Sequence, residues 1–170
     1  MRVELPDTYN AATTFVDENI SRGRGGKVAI YYQDQKITYQ EVFENVNRTG
    51  NALRSLGIEV ENRVLLILPD SPEFAYCFFG AIKMGAVAVP VNPWMVAKDY
   101  EYLINDSRAR AIVVHTTALP EIEKIRDRTR FLKHVIVVGA AKGQALSYEN
   151  LISNASHELE AEKTTRHEVC

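Results

Sequence analysis

Side chains that bind, ionise or attack are the ones that can do chemistry, so glycine clusters, histidines, cysteines and close carboxylates are weighed first. Gly23-Arg24-Gly25-Gly26 precedes a β-rich run. A phosphate-cradling loop instead follows a strand and opens a helix, where backbone amides and the helix dipole face the anion. The context favours a structural turn. Gly139-Ala140-Ala141-Lys142-Gly143-Gln144 does follow an expected strand and is the better phosphate candidate. It lacks the Gly-Lys-Ser/Thr ending that holds phosphate and magnesium, and reads as a surface loop after an edge strand. No two of His115, His134, His157 and His167 share a metal-binding spacing, and no cysteine pair accompanies them. His115 ends an expected strand, where parallel sheets place ligands, but a polar residue at a wet strand end is the commoner case. Cys77 lies among Phe74, Phe78 and Phe79 and reads as a small buried hydrophobe. The carboxylates of Asp70-Ser71-Pro72-Glu73 suit helix capping and first-turn charges. No Gly-x-Ser-x-Gly elbow is present. From residue types alone no catalytic residue and no metal ligand is assigned, and the cofactor-binding residues stay unknown.

The elements that would position such groups alternate between helix and strand. Thr13 to Arg22 reads as a short helix broken by the glycines, and Val28–Tyr32 with Lys36–Thr38 as a hairpin. Thr38-Tyr39-Gln40-Glu41 spells a capping box, and Val42, Phe43, Val46, Leu53 and Leu56 recur behind it at helical spacing until Gly57. Val64–Leu68 is continuously apolar, as in a strand covered on both faces. Ser71-Pro72-Glu73 opens a helix ending at Gly85, and Val87–Val91 is the next buried strand. Further helices are expected over Ala97–Asn105, Leu119–Arg126 and Tyr148 to about His157, with strands over Ala111–Val114 and Val135–Val138. The expected class is α/β, a largely parallel sheet with flanking helices, because such alternation requires repeated crossovers. Residues 1–157 are read as this α/β part, and 158–170 as a charged, aperiodic tail.

Composition narrows the partners. With 46% apolar and 25% charged residues and a net charge of −2, the chain has the make-up of a globular protein, with no basic stripe for nucleic acid and no polybasic membrane anchor. The longest apolar stretch, Phe74 to Pro90, is broken by Lys83 and two glycines, and a bilayer needs about 20 apolar residues. Met1–Pro6 is not a secretory signal, so the Asn-x-Ser/Thr triplets at Asn19, Asn47, Asn105 and Asn154 are chance matches. Cys77 and Cys170 form no disulfide framework, and a cytoplasmic location is expected.

Two segments carry a family resemblance. Ile37-Thr38-Tyr39-Gln40-Glu41-Val42 resembles the "L-T-Y-x-E-L" element of adenylate-forming enzymes. Ala81-Ile82-Lys83-Met84-Gly85-Ala86-Val87-Ala88-Val89-Pro90-Val91-Asn92-Pro93 resembles their "A-x-x-x-G-A-V-x-x-P-V-N-P" element. Gly50–Gly57, Arg63–Phe74 and Asn105–Arg110 keep the family's order, and Tyr9–Ala12 with Gly23–Gly25 looks most like its benzoate-CoA ligase branch. The resemblance covers essentially the whole chain and implies the N-terminal part of the large domain of an acyl-CoA synthetase-like enzyme.

In that family, as the resemblance implies, a carboxylate attacks the α-phosphate of Mg-ATP to give an acyl-adenylate, and coenzyme A then displaces AMP. ATP, Mg2+ and coenzyme A are therefore the cofactors expected of the full-length enzyme, and a small carboxylic acid its substrate. The family's Ser/Thr/Gly-rich phosphate loop and catalytic lysine lie further on, and Arg166–Cys170 falls about where the strand leading into that loop begins. The expectation is an inactive N-terminal fragment of an aromatic-acid ligase that binds none of these cofactors well. The alternative is a stand-alone α/β binding or interaction module derived from one. A fragment should leave an apolar face exposed, through which copies could self-associate. Trp94, in a loop where some relatives approach coenzyme A, is read as covering a neighbouring helix.

Overall fold

In the computed structural model, residues 6–167 are described; Met1–Leu5 and Cys170, on which two of the sequence expectations bear, lie outside them. The five strands of the core sheet are short, and all but the fourth in chain order, which leads straight to the fifth, are followed by a helix. β3 (Arg63–Ile67), β4 (Val87–Pro90), β5 (Ala111–His115), β6 (His134–Val138) and β7 (Leu146–Ser147) form one parallel sheet in the order β4-β3-β5-β6-β7. In-register pairs such as Leu65↔Ile112 and Val113↔Ile136 hold its centre. A separate antiparallel hairpin joins β1 (Val28–Tyr32) to β2 (Gln35–Thr38).

The apolar runs are explained by two covered faces. Val64, Leu66, Val113 and Ile136 face one core layer, with α3 (Pro72–Lys83), Leu53 of α2 (Tyr39–Ser55) and Tyr148 of α6 (Tyr148–Ser153). Leu65, Ile67, Ile112, Val114 and Val137 face the other, against α4 (Ala97–Asp106) and α5 (Leu119–Glu123). Alternate residues of one strand thus reach opposite layers, which requires apolar side chains at both parities. A smaller cluster of Val16, Ile37, Val42, Val46 and Tyr76 seats the hairpin on α2 and α3.

Local signals set the helix ends. The Thr38 hydroxyl accepts the Glu41 N–H at 3.2 Å and Glu41 Oε2 accepts the Thr38 N–H at 2.7 Å, completing the capping box of α2. Those bonds from Thr38 hold the Glu41 carboxyl below the usual carboxylate range. Gly57 (φ +75°) and Gly85 (φ +84°) follow the last turns of α2 and α3 in the left-handed region glycine adopts without strain. Among the described residues no helix is long and apolar enough to cross a membrane.

Several expectations are corrected. The expected helix from Thr13 to Arg22 is a five-residue π-helical stretch, Thr13–Asp17, running into α1 (Glu18–Ser21). Strand β6 is not an edge, because the two-residue β7 pairs beyond it. Helix α5 stops at Glu123, and Arg126–Arg128 forms a separate 3-10 turn. Helix α6 ends at Ser153 rather than near His157, because side chains of α2 take the carbonyls of Ala155, Ser156 and His157. Residues 158–167 form no helix or sheet strand, as the aperiodic sequence implies, yet they dock on α2, α3 and residues 7–10.

Candidate functional site

Strand order determines where a ligand crevice can open. From β3 the chain moves outward to β4 through α3, and from β5 it moves the opposite way to β6 through α5, so the order reverses between β3 and β5. In open parallel sheets that reversal leaves a crevice outside the strand ends. Here it is bordered by Pro69-Asp70-Ser71 after β3, Thr116-Thr117 after β5 and Gly139 after β6.

Most polar groups at this edge are already engaged, Asp70 excepted. Ser71 caps α3, its Oγ accepting the Phe74 N–H at 3.4 Å, while Asp70 is exposed beside it. His115 Nδ1 lies 2.8 Å from Thr117 Oγ1, and Thr116 Oγ1 donates to the Ala140 carbonyl at 3.1 Å. The Gly139 N–H donates to Glu149 Oε1 at 2.8 Å, and Ser147 Oγ donates to the other oxygen of that carboxylate at 2.9 Å. Gly139 sits at φ +94°, and a Cβ there would stand 3.2 Å from Thr116 Cγ2. The glycine-bearing loop is therefore shaped by packing against β5, and a carboxylate already occupies its first amide. A phosphate does not fit that position, because Glu149 would repel it.

The other glycine cluster is the structural turn its context predicts. Gly23 has φ +70°, the Gly25 carbonyl accepts the Gln40 N–H at 3.0 Å, and the Lys27 carbonyl accepts the Tyr39 N–H at 3.0 Å, so the turn seats the start of α2. Among the described residues no three His, Cys, Asp or Glu side chains converge as a metal-holding group. These residues do not fit a magnesium-nucleotide complex, and no chemical step through one is assigned to them.

Cys77 is fully buried, and burial pushes its thiol far up, so it is a protonated core group rather than a nucleophile. It shares its core layer with Tyr148, whose hydroxyl lies 2.8 Å from Thr49 Oγ1; burial likewise raises that phenol well above its ordinary value. A cavity of about 100 Å³ between α5 and the 139–145 loop, floored by Leu119, Ile122 and Val135, is far below the roughly 300–1,000 Å³ of ordinary ligand pockets.

Trp94 does not cover a neighbouring helix: it is 80% exposed. Its backbone N–H donates to Asn92 Oδ1 at 2.9 Å, and the Tyr100 hydroxyl donates to the Asn92 carbonyl at 3.1 Å while accepting the Met95 N–H at 3.2 Å. Those bonds hold the loop so that Met95 packs against the α4 layer and Trp94 points to water. Val96 and Tyr102 are also exposed.

The groups that sequence reasoning missed are Asn10, the polar face of α2 and the buried Lys83. The available signal was compositional. Asparagine is a poor residue for a helix interior, yet Asn47 and Asn51 stand one turn apart in the middle of α2.

A family profile described as AMP-binding enzyme matches residues 16–169. The chain is 40% identical over 145 residues to a 4-hydroxybenzoate–CoA/benzoate–CoA ligase of Rhodopseudomonas palustris, covering 85% of this chain and 27% of that protein. It is 36% identical over 169 residues to a benzoate–CoA ligase of Thauera aromatica, covering 99% and 32%. A crystal structure of an anthranilate CoA ligase in complex with anthranoyl-AMP superposes with a TM-score of 0.93 at 36% identity, over 98% of this chain and 32% of that one. The chain thus spans about a third of the length of these relatives.

Proposed function

Because the chain belongs to the AMP-binding enzyme family, we propose that it is the N-terminal scaffold of an AMP-forming aromatic-acid CoA ligase, of benzoate type, and that alone it does not catalyse the reaction. The observation that carries this reading is the 36% identity to a benzoate–CoA ligase over 99% of the chain. In this reading residues 1–157 are the incomplete α/β part of the adenylating domain, and residues 158–170 lead toward its phosphate loop. ATP, Mg2+, coenzyme A and a small aromatic acid engage groups outside this chain. Ser71, His115, Thr116 and Thr117 at the β3–β5 crevice are spent on caps and turns, which supports that division. Trp94, Val96 and Tyr102 are each exposed, and isolated copies associate through such apolar side chains.

The test has two arms. The 170-residue chain is assayed for thioester formation with benzoate, ATP, Mg2+ and coenzyme A, and its mass is followed by sedimentation velocity. The gene is then sequenced beyond the Cys170 codon, and any longer product is assayed alike. The expected result is no thioester from the short chain and benzoyl-CoA from the longer one. Thioester from the short chain would sink the scaffold reading. A stop codon directly after Cys170, with a soluble monomeric chain, would favour a stand-alone binding module instead.

A further inference from the structure

Residues 154–166 have no helix, and their one strand-like contact is an isolated antiparallel bridge between Thr165 and Thr8. Their path is nevertheless held from outside, chiefly through the backbone. Along α2, Arg48 Nη1 donates to the Ala155 carbonyl at 2.7 Å and Asn47 Nδ2 to the His157 carbonyl at 2.8 Å. Asn51 Nδ2 spans the Ser156 and Glu158 carbonyls at 2.9 and 2.8 Å. Asn47 and Asn51 are four residues apart and so share a helix face. Between them Gly50 leaves room for Leu159, whose Cδ2 would lie 2.4 Å from a Cβ at that position.

Beyond Leu159 the hold passes to α3 and the N-terminal residues. The Glu162 N–H donates to the Lys83 carbonyl at 2.8 Å, at the last turn of α3. Asn10 is buried and ties three strands of chain together. Its Nδ2 donates to the carbonyls of Ile82 at 2.9 Å and Glu162 at 3.2 Å, and its Oδ1 accepts the Ala12 N–H at 3.0 Å. Next to it, the Tyr9 N–H donates to the Thr164 carbonyl at 2.8 Å and Thr164 Oγ1 donates to the Tyr9 carbonyl at 2.6 Å.

Donors that read carbonyls fix a path without reading the side chains along it. We propose that the polar face of α2 and residues 8–10 are a rail and clasp for residues 155–165, with Asn10 and Asn51 as the positioning residues, and that this segment is a strap that opens as a unit while the α/β core stays folded. Few of its own apolar side chains are buried, which places it at the low-stability end of the molecule. This inference stands on the hydrogen-bond geometry and is independent of the ligase reading.

Amide hydrogen exchange on the 170-residue chain tests it, read at Glu162 and Thr164 against β3 and β5. Asn51→Asp keeps the side-chain shape but removes the N–H donors; Asn51→Ala removes the group. Both should speed exchange at Glu162 and Thr164 at least tenfold and leave β3 and β5 within about twofold of the parent chain. Asn10→Ala should do the same, and if it fails to fold, the Asn51 variants decide. Unchanged exchange in the strap of the Asn51 variants, or equal acceleration throughout the sheet, would overturn the proposal.

Discussion

Lys83 carries a charge where the fold gives it almost no water. Its side chain is 1% exposed, and its Nζ lies 2.6 Å from Asp17 Oδ1 and 4.7 Å from the centroid of the Phe43 ring. The partner is less enclosed, with 26% of the Asp17 side chain exposed. That asymmetry makes the two halves of the pair unequal. Asp17→Asn strands a buried ammonium against an aromatic face and should cost about 3 kcal/mol. Lys83→Met refills the space with an apolar chain of similar length and leaves a carboxylate that water can reach, so it should cost only about 1 kcal/mol. Urea denaturation of both variants measures this, and an equal or larger loss for Lys83→Met would contradict it. In the sequence Lys83 reads as a charge interrupting an apolar run. Its partner is 66 residues away, a separation at which no local pattern announces a contact.

At the level of elements, the contact between α2 and α3 depends on two glycines without side chains. A Cβ at Gly80 would stand 2.9 Å from Thr49 Cβ, 3.0 Å from the Val46 carbonyl oxygen and 3.1 Å from the Gly50 nitrogen. Two of those atoms are backbone and cannot turn aside. Gly80→Ala should therefore cost about 2–3 kcal/mol by forcing the helices apart. Gly26 has no heavy atom within 4 Å of its would-be Cβ and no left-handed φ, so Gly26→Ala should be neutral or stabilising by up to about 1 kcal/mol. Thermal melts of the two variants decide, and comparable midpoints would refute the close-approach account. The capping box, the Pro72 helix start and the stop at Gly85 were legible beforehand because each is written within four residues. The two-residue β7 was not, since alternation needs more than two positions to be recognised.

The molecule as a whole keeps several protons that its unfolded chain would release in alkali. Burial pushes the Cys77 thiol far up, raises Tyr148 well above its ordinary value, and lifts Tyr76 to about 12. Unfolded, the thiol titrates near 9.0 and the phenols near 10.0. Raised native values mean that the stabilisation is fully present below the unfolded pKa and is lost as pH climbs toward the native one. Each proton retained only by the native state steepens the loss by about 1.4 kcal/mol per pH unit. Stability should be level from pH 7 to 8.5 and lower by about 5 kcal/mol at pH 11, with a shallower fall in Cys77→Ala. Urea midpoints measure it, and a profile flat to pH 11 would show that these groups are wetter than the fold implies.

Sequence alone determined the α/β class, the parallel sheet, the main helix starts and stops and the family resemblance, because caps, glycine stops and apolar runs act over a few neighbouring residues. It also read Gly23–Gly26 as a structural turn and Gly139–Gln144 as a surface loop, from each cluster's neighbours and missing ending. Only the tertiary structure decided that Trp94 faces water, that β6 has a neighbour, and that the segment after Ser153 is strapped down. The partners that settle these points are distant: Asn47 meets His157 110 residues away, and Asn10 meets Glu162 152 residues away. A lone asparagine has the same local appearance whether it faces solvent or a carbonyl. The difference exists only once α2 and α3 pack and bring that carbonyl within reach.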